Sequence, residues 1–233
     1  MGARLKPPLP VFAPQTPFAG LSPMARAAMG ESFIDRVYEP NAVIYLQHDD
    51  PEGLFLVISG HVRLANVLDD GSVLLTSVLG PGAVFGELPC FDGGLHQDAA
   101  TALGRVRISV LTPPRLSRLR QAHPSVCDAL GRHVADRSRA FVDVVTTMFL
   151  PSLAARLAQV LLRLTREVGT MTDSGVDIVP VITQSDLGAM ARGSRENVNK
   201  LLKAWERGGF LQLKDRRISV LDIEELSRIA EEG

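Results

Sequence analysis

The segment VITQSDLGAMARGSRENVNKLLKAWERGGFLQLKDRRISVLD, residues 181–222, decides how the C-terminal part of the chain folds. Thr183 is followed three residues later by Asp186, close to the spacing of a capping box, so a short helix is expected to begin there. A tight turn at Arg192 and Gly193 precedes Ser194, which is a suitable cap for a second helix. Two short helices joined by a glycine-containing turn are typical of a helix-turn-helix.

The second helix is predicted to have one apolar side and one polar side. Gly208 and Gly209 end it, and the sequence FLQL-KDRR-ISVL that follows predicts two strands around a charged turn, here called the wing. The apolar residues of the helix recur at i, i+3, i+4 and i+7 and are therefore expected to face the core: Val198, Leu201, Leu202 and Trp205.

Charge is distributed unevenly along the chain. The net charge of the 233 residues is −1, which gives no indication of a nucleic-acid partner. Residues 183–217, however, contain eight Lys and Arg residues (192, 195, 200, 203, 207, 214, 216 and 217) against four Asp and Glu residues (186, 196, 206 and 215). A locally basic helix-turn-helix with a basic hairpin is the electrostatic pattern of a DNA-binding domain.

The polar side of the second helix supplies the candidate base contacts. Arg195, Glu196 and Lys200 are expected at the N-terminal end, which enters the major groove in helix-turn-helix proteins. Arg can bind guanine O6 and N7, and Glu can accept from cytosine N4. The alternative is a solvated surface pair between Glu196 and Lys200. The full set predicted to contact DNA is Thr183, Gln184, Ser194, Arg195, Glu196, Asn197, Asn199, Lys200, Lys203, Lys214, Arg216 and Arg217.

Residues 31–112 have a different pattern. Short alternating or apolar runs such as VIYLQ, LFLVIS, HVRLANVL and SVLLTSVL are separated by glycine-marked turns. Strands at a spacing of about 8–12 residues with such turns predict an antiparallel barrel or jelly roll. LDDGSV at 68–73 predicts a β-hairpin, because it places Asp-Gly between two strand-like runs. The fold class is therefore predicted as α+β: an N-terminal antiparallel β jelly-roll barrel, a long dimerisation helix and a C-terminal winged helix-turn-helix.

A long helix is predicted after His123 and Pro124, and it ends near Pro151. Six of its residues are spaced by alternating steps of four and three, which gives a heptad seam with one polar intruder, Arg137. The seam predicts a parallel coiled-coil dimer contact, while the alternative is a helix packed on its own barrel. The predicted dimer interface comprises Leu130, Val134, Arg137, Phe141, Val144 and Met148.

The predicted domain organisation follows from these patterns. Residues 1–17 are proline-rich and are predicted to be a flexible arm; 18–123 form the barrel, 124–150 the dimerisation helix and 151–233 the DNA-binding domain. The start has no long apolar core and the chain has no apolar run of 18 residues, so neither a signal peptide nor a membrane span is expected. Two isolated cysteines, Cys90 and Cys127, suit a reducing cytoplasm and exclude an all-cysteine metal site.

The stretch TQSDLGAMARGSRENVNKLL resembles the recognition unit of the Crp/Fnr family of bacterial transcription regulators, with Arg195, Glu196 and Lys200 at matching positions. GLFLVISGHVRL, LGPGAVFGEL and the heptad helix are similar to that family's cyclic-nucleotide-binding barrel and dimer helix. The resemblance covers roughly residues 30–222. It implies a homodimer that binds an inverted repeat in double-stranded DNA, with TGTGA-like half-sites about 34 Å apart. It also implies RNA polymerase as a partner.

The effector site departs from the family's pattern. The resemblance implies that the sequence Gly86-Glu87-Leu88 precedes a short helix and that an Arg-Ser or Arg-Thr pair then clamps the cyclic phosphate. Here those two positions fall on Gln97 and Asp98, or on His96 and Gln97 with a one-residue gap, and neither alignment supplies an arginine. The helix positions that usually contact the purine are Phe141 and Val142. This degenerate pocket is expected to bind neither cyclic AMP nor cyclic GMP. Whether it binds another small ligand or none is left open by the sequence. The predicted pocket residues are Gly86, Glu87, Leu88, His96, Gln97, Asp98, Phe141 and Val142.

Two other classes of function are compatible with a β-barrel: an enzyme and a ligand-sensing module that does not bind DNA. A cupin-type barrel enzyme would need histidines and a carboxylate that converge on a metal, but the spacing of His48, Asp49, Asp50 and His61 does not place them on one barrel face. No Ser-His-Asp set, phosphate loop or paired-carboxylate motif occurs in a convincing context. Neither catalysis nor a bound metal is therefore expected. A ligand-sensing module that does not bind DNA is the remaining alternative.

Overall fold

The computed structural model describes residues 18–232, so the predicted arm at 1–17 lies outside the described residues. It has an N-terminal antiparallel sheet, a long helix and a C-terminal helix-turn-helix, as the sequence predicts. The N-terminal elements are α1 (Pro23–Ser32), β1 (Ile34–Tyr38), β2 (Val43–Tyr45), β3 (Leu54–Val67), β4 (Val73–Leu79), β5 (Val84–Phe85), α2 (Pro89–Asp92), β6 (Ala99–Leu111) and α3 (Pro113–Ala122). The long helix is α4 (Ser125–Met148).

The C-terminal elements are four helices and a four-stranded antiparallel sheet in the order β7-β8-β10-β9. The hairpin formed by β7 and β8 is missing from the sequence prediction, because its strands are only four residues long and β7 is mostly exposed. The elements are α5 (Leu153–Val168), β7 (Gly169–Thr172), β8 (Gly175–Ile178), α6 (Gln184–Ala191), α7 (Arg195–Arg207), β9 (Leu211–Lys214), β10 (Arg217–Val220) and α8 (Ile223–Glu232).

The N-terminal sheet is built around two long strands, β3 and β6, which pair antiparallel with each other. Its main order is β1-β6-β3-β4, with β2 added to β6 and β5 to β3. The predicted runs LFLVIS and HVRLANVL are one continuous strand, because the chain bends at Gly60 without leaving the sheet. Gly60 has a φ of 81°, and a Cβ there would lie 2.4 Å from the carbonyl oxygen of Arg105. The bend therefore requires glycine for both conformation and space.

Replacement of Gly60 by alanine is expected to destabilise the protein by about 2–4 kcal/mol, because a positive φ and a backbone clash are both imposed. Gly71 is the matched control, since its φ is 78° and nothing lies within 4 Å of its Cβ position. Gly71→Ala should cost only the conformational part, about 1–2 kcal/mol. Urea unfolding of both variants measures the difference, and equal losses would contradict a steric role for Gly60.

Helix α4 packs against the chain's own N-terminal domain over its first half. Val126, Ala129 and Leu130 join a buried cluster with residues of α1, β3 and α3. Leu130 and Val144, both expected in the dimer interface, are only 1% and 4% exposed in the single chain. They offer almost no surface to a partner. At these two positions the helix therefore packs within its own chain, which is the alternative given above. The dimer interface as a whole stays a prediction.

Helix α5 joins the two halves of the molecule. The chain leaves α4 at Met148 and re-enters a helix at Leu153, with Pro151 between them and the Ser152 hydroxyl accepting from Ala155 N–H at 3.0 Å. One apolar face of α5 is buried in a core shared with α6, α7, α8 and the wing, and that core also includes Leu75 and Val78 of β4. Apolar packing thus continues from the first domain into the second.

Candidate nucleic-acid interface and ligand pocket

Helix α7 is oriented by its apolar side. Val198, Leu202 and Trp205 are buried in the C-terminal core, and the Ser194 hydroxyl accepts from Asn197 N–H at 3.2 Å to begin the helix. Burial of three large side chains on one helix face leaves little rotational freedom. The opposite face at the first two turns is therefore fixed outward.

The twelve residues predicted to contact DNA fall into an exposed set and a half-buried pair. Gln184 and Asn199 are the half-buried pair, and Gln184 Nε2 donates to Asn199 Oδ1 at 3.0 Å, which joins α6 to α7. Thr183 is exposed but is held by a capping box with Asp186. The remaining nine are also exposed: Ser194, Arg195, Glu196, Asn197, Lys200, Lys203, Lys214, Arg216 and Arg217.

A basic groove of about 470 Å³ lies between the start of α6, the start of α7 and the wing. Three arginines line it, Arg195, Arg216 and Arg217, together with Thr183 and Gln184. No carboxylate is among its described lining residues. The wing turn is tight, since Asp215 and Arg216 have φ of 51° and 63°. Guanidinium groups that converge on a groove without an acidic residue are suited to backbone phosphates.

A second cavity, of about 520 Å³, lies between the barrel and α4. The predicted pocket residues Glu87, Leu88, Gln97, Asp98 and Phe141 line it, and Gly86, His96 and Val142 do not. The other lining residues come from the barrel and from α4: Gln47, Asn66, Thr76, Ser77, Val134, Arg137, Ser138, Ala140 and Val144. The structure therefore brings the barrel part of the predicted effector site against the long helix.

Arg137 points into this pocket, where it meets two carboxylates. Its Nε lies 3.4 Å from Glu87 Oε1, and its Nη2 lies 3.8 Å from Asp98 Oδ2. The sequence pattern gives no arginine at positions 96 to 98, where the family places its guanidinium. Arg137 could have been identified from the heptad seam, because an arginine among apolar residues needs an acidic partner. Its two acidic partners lie on the barrel.

Burial raises the pKa of the Asp98 carboxyl, and the charge of Glu87 adds to this effect. The hydrogen bond from Tyr45 Oη to Asp98 Oδ1, at 2.9 Å, and the positive charge of Arg137 both act in the opposite direction. With two carboxylates and one guanidinium, the titratable groups that line the pocket have a net charge of −1 when all are ionised. The pocket therefore repels an anion unless a carboxyl is protonated.

His96 and Gly86 have structural roles beside the pocket. The His96 ring is buried and stacks on Tyr45 with centroids 3.7 Å apart, and its backbone exchanges hydrogen bonds with His48 and Asp49. Gly86 has a φ of 70°, and a Cβ there would lie 2.7 Å from the Phe55 ring. Neither residue lines the cavity, and their assignment to the effector site stays a prediction.

Replacing Arg137 with methionine is expected to destabilise the protein by about 1–3 kcal/mol at pH 7.5, because Glu87 and Asp98 then face each other without a cation. The loss should shrink toward pH 5. The pKa of Asp98 is already raised by burial, and without Arg137 it rises further, so folding takes up a proton as the pH falls. Urea unfolding at both pH values measures this difference.

Arg139→Met is the control for this variant, since Arg139 pairs with Asp136 on the exposed side of the same helix. It should change the free energy of unfolding by less than about 1 kcal/mol at either pH. An Arg137→Met loss that does not depend on pH would contradict the coupling between Arg137 and the two carboxylates.

Two family models match the chain in separate segments. Residues 35–123 match a cyclic nucleotide-binding domain, and residues 155–229 match a Crp-like helix-turn-helix domain. The first segment contains most of the N-terminal sheet and α3, and the second runs from α5 into α8. Among residues 18–232, no helix is both long and apolar enough to span a membrane.

The relatives of this chain are transcription regulators. It is 27% identical over 213 residues to the CRP-like cAMP-activated global transcriptional regulator of Mycobacterium tuberculosis, and this match covers 91% of the chain and 95% of the relative. It is 29% identical to the cyclic AMP receptor protein of Thermus thermophilus, with the same coverage. Among solved structures, FixK2 from Bradyrhizobium japonicum has a TM-score of 0.76 at 21% identity, covering 84% of this chain and 96% of that one.

Proposed function

We propose, on the premise that this chain belongs to the Crp/Fnr family of bacterial transcription regulators, that it is a homodimer that recognises an inverted repeat in double-stranded DNA. Its relatives are transcription regulators with a DNA-binding helix-turn-helix, and not enzymes. The observation on which the proposal rests is the exposed pair Arg195 and Glu196 in the first turn of α7, next to a groove lined by three arginines.

The half-site proposed is TGTGA-like. The buried side of α7 leaves Arg195, Glu196 and Lys200 exposed at the N-terminal end of the helix, which is the end that enters the major groove in helix-turn-helix proteins. An arginine is suited to bidentate contact with guanine, and Glu196 to the N4 amino group of cytosine on the opposite strand. A carboxylate beside DNA phosphates is repelled unless it gains such a donor, so Glu196 supports base recognition more strongly than the basic residues do.

Dimerisation is proposed through the exposed side of α4. Phe141 and Val142 are about half exposed, and Phe149, just beyond the helix, is 82% exposed. Apolar side chains concentrated in one stretch of a helix favour contact with a second helix. Two recognition helices related by a two-fold axis would then match the two halves of an inverted repeat. RNA polymerase is proposed as the further partner on the family resemblance alone.

The test of DNA recognition is fluorescence anisotropy with a duplex that contains TGTGA-N6-TCACA. Arg195→Gln and Glu196→Gln are each expected to weaken binding by about 1–3 kcal/mol and to relax preference at one base pair. Lys203→Ala, farther along α7, is the matched control. It should weaken binding to all sequences alike and reduce the dependence of binding on salt.

Equal binding of the TGTGA duplex and a scrambled duplex would rule out the proposed half-site. Binding of the specific duplex that is unaffected by Arg195→Gln and Glu196→Gln would rule out base contact by these two residues. Neither result is expected if α7 lies in the major groove.

The effector pocket is proposed to be degenerate for cyclic AMP and cyclic GMP. A cyclic phosphate would meet Glu87 and Asp98, while Arg137, the guanidinium among the lining residues, already lies beside both carboxylates. Drawing Arg137 away from Glu87 and Asp98 would leave both carboxylates without a paired guanidinium. Gln97 is exposed and its amide donates to its own loop at Leu95, so it does not replace a phosphate clamp.

The alternative is a regulator that is still gated by a cyclic nucleotide or by another small ligand in the barrel. Both relatives described above are named for cyclic AMP, which supports this alternative. Calorimetric titration with cyclic AMP separates the two, and we expect no binding at micromolar concentrations. The double variant Gln97→Arg with Asp98→Ser restores an Arg-Ser pair and should bind cyclic AMP at least tenfold more tightly than the natural chain, a gain of about 1.4 kcal/mol.

Micromolar binding of cyclic AMP by the natural chain would overturn the proposal of a degenerate pocket and leave the DNA-binding proposal intact. The same anisotropy assay, run with and without cyclic AMP, then decides whether the nucleotide controls DNA binding.

A further inference from the structure

A third cavity, of about 290 Å³, lies where α4 ends and α5 begins. We call it the hinge cavity, and it is distinct from the effector pocket. Residues from the last two turns of α4, the connecting segment and one face of α5 line it: Asp143, Thr146, Thr147, Leu150, Gln159, Arg163 and Arg166. Nothing in the proposed recognition of DNA uses these residues.

The unusual member of this lining is Arg163, which is only 7% exposed. Its Nε and Nη2 atoms are buried and have no hydrogen-bond partner. The nearby carboxylate, Glu167 Oε1, is 4.0 Å from Nε, beyond hydrogen-bond distance. Burial also lowers the pKa of Arg163. A buried guanidinium with unused donors is unfavourable unless an acceptor meets it.

We propose that the hinge cavity binds the phosphoryl group of a small phosphorylated compound. Arg163 and Arg166 would supply the charge, and guanidinium forks match the geometry of a phosphoryl group. The amide of Gln159 is a further donor. The hydroxyls of Thr146 and Thr147 already donate to the carbonyl of Asp143, at 3.1 and 2.7 Å, and act only as acceptors.

Two carboxylates limit where an anion can lie. Asp143 lines the α4 side of the cavity, and Glu167 lies beside Arg163. The phosphoryl group must therefore lie against the arginines of α5 and away from Asp143. A volume of about 290 Å³ is at the lower end of the range for small-molecule pockets, so the rest of the ligand is small.

Occupancy of this cavity would affect the relation between the two domains, because its lining belongs to α4 and α5 on both sides of Pro151. A ligand that contacts both helices binds one hinge geometry better than another, and it therefore shifts the population toward that geometry. The ligand would act on the position of α7 without touching DNA.

The test is calorimetric titration of the full chain, in a buffer without phosphate, with three probes: inorganic phosphate, pyrophosphate and adenosine monophosphate. Pyrophosphate is expected to bind with a Kd below about 1 mM. Arg166→Gln, at an exposed position, should weaken that binding at least tenfold. Arg163→Lys keeps the charge but loses the fork, and should also weaken it. Arg139→Gln, an exposed arginine on α4 outside the cavity, should leave the affinity unchanged.

Circular dichroism checks that each variant is folded, and because Arg166 is exposed, the test does not depend on the buried Arg163 alone. No binding of any probe up to about 1 mM would overturn the proposal, as would equal pyrophosphate affinity of the natural chain and Arg166→Gln.

The order of affinities identifies the class of ligand. Stronger binding of adenosine monophosphate than of phosphate would identify a nucleotide, and the reverse order would identify a compact phosphate. The readout involves no DNA, and the loss of binding in Arg166→Gln distinguishes the hinge cavity from the arginine-lined groove at α7.

Discussion

The contact of Arg137 with Glu87 and Asp98 is the interaction on which the relation of the helix to the barrel depends. It joins α4 to the residue just before β6 and to the loop before α2 through charges, in addition to the apolar packing of Val126, Ala129 and Leu130 at the start of the helix. A buried or half-buried ion pair of this kind adds little net stability but fixes one arrangement, because any other leaves unpaired carboxylates. The same contact sets the charge that the pocket presents to a ligand.

The helix-turn-helix could be predicted nearly in full from the sequence, because local signals determine it. The capping box at Thr183, the cap at Ser194 and the stripe that ends at Trp205 act within a few residues, and the structure contains all of them. The same holds for the wing, whose charged turn follows directly from the sequence. Exposure of Arg195 and Glu196 then follows from the position of the stripe.

Contacts between distant segments could not be predicted in the same way. The partners of Arg137 lie 39 and 50 residues earlier in the chain, and a heptad pattern gives the same signal for a helix that packs on its own domain as for one that packs on a partner. Leu130 and Val144 show the difference, since both are buried within the single chain. The β7–β8 hairpin escaped prediction for another reason: β7 is mostly exposed, and the alternation in β8 extends over only four residues.

Helix α4 contacts both cavities, and this placement explains how a signal in either could reach the DNA-binding domain. Arg137 and Phe141 line the effector pocket, and Asp143 and Thr147, each six residues farther along α4 than one of them, line the hinge cavity. A helix can carry a small rotation at the pocket toward the start of α5, and the break at Pro151 allows α5 to change its angle. With the effector pocket proposed to be degenerate, the proposed ligand of the hinge cavity would act on that angle from the same helix. Arg163 provides the physical basis for this proposal, because its buried Nε and Nη2 atoms have no acceptor.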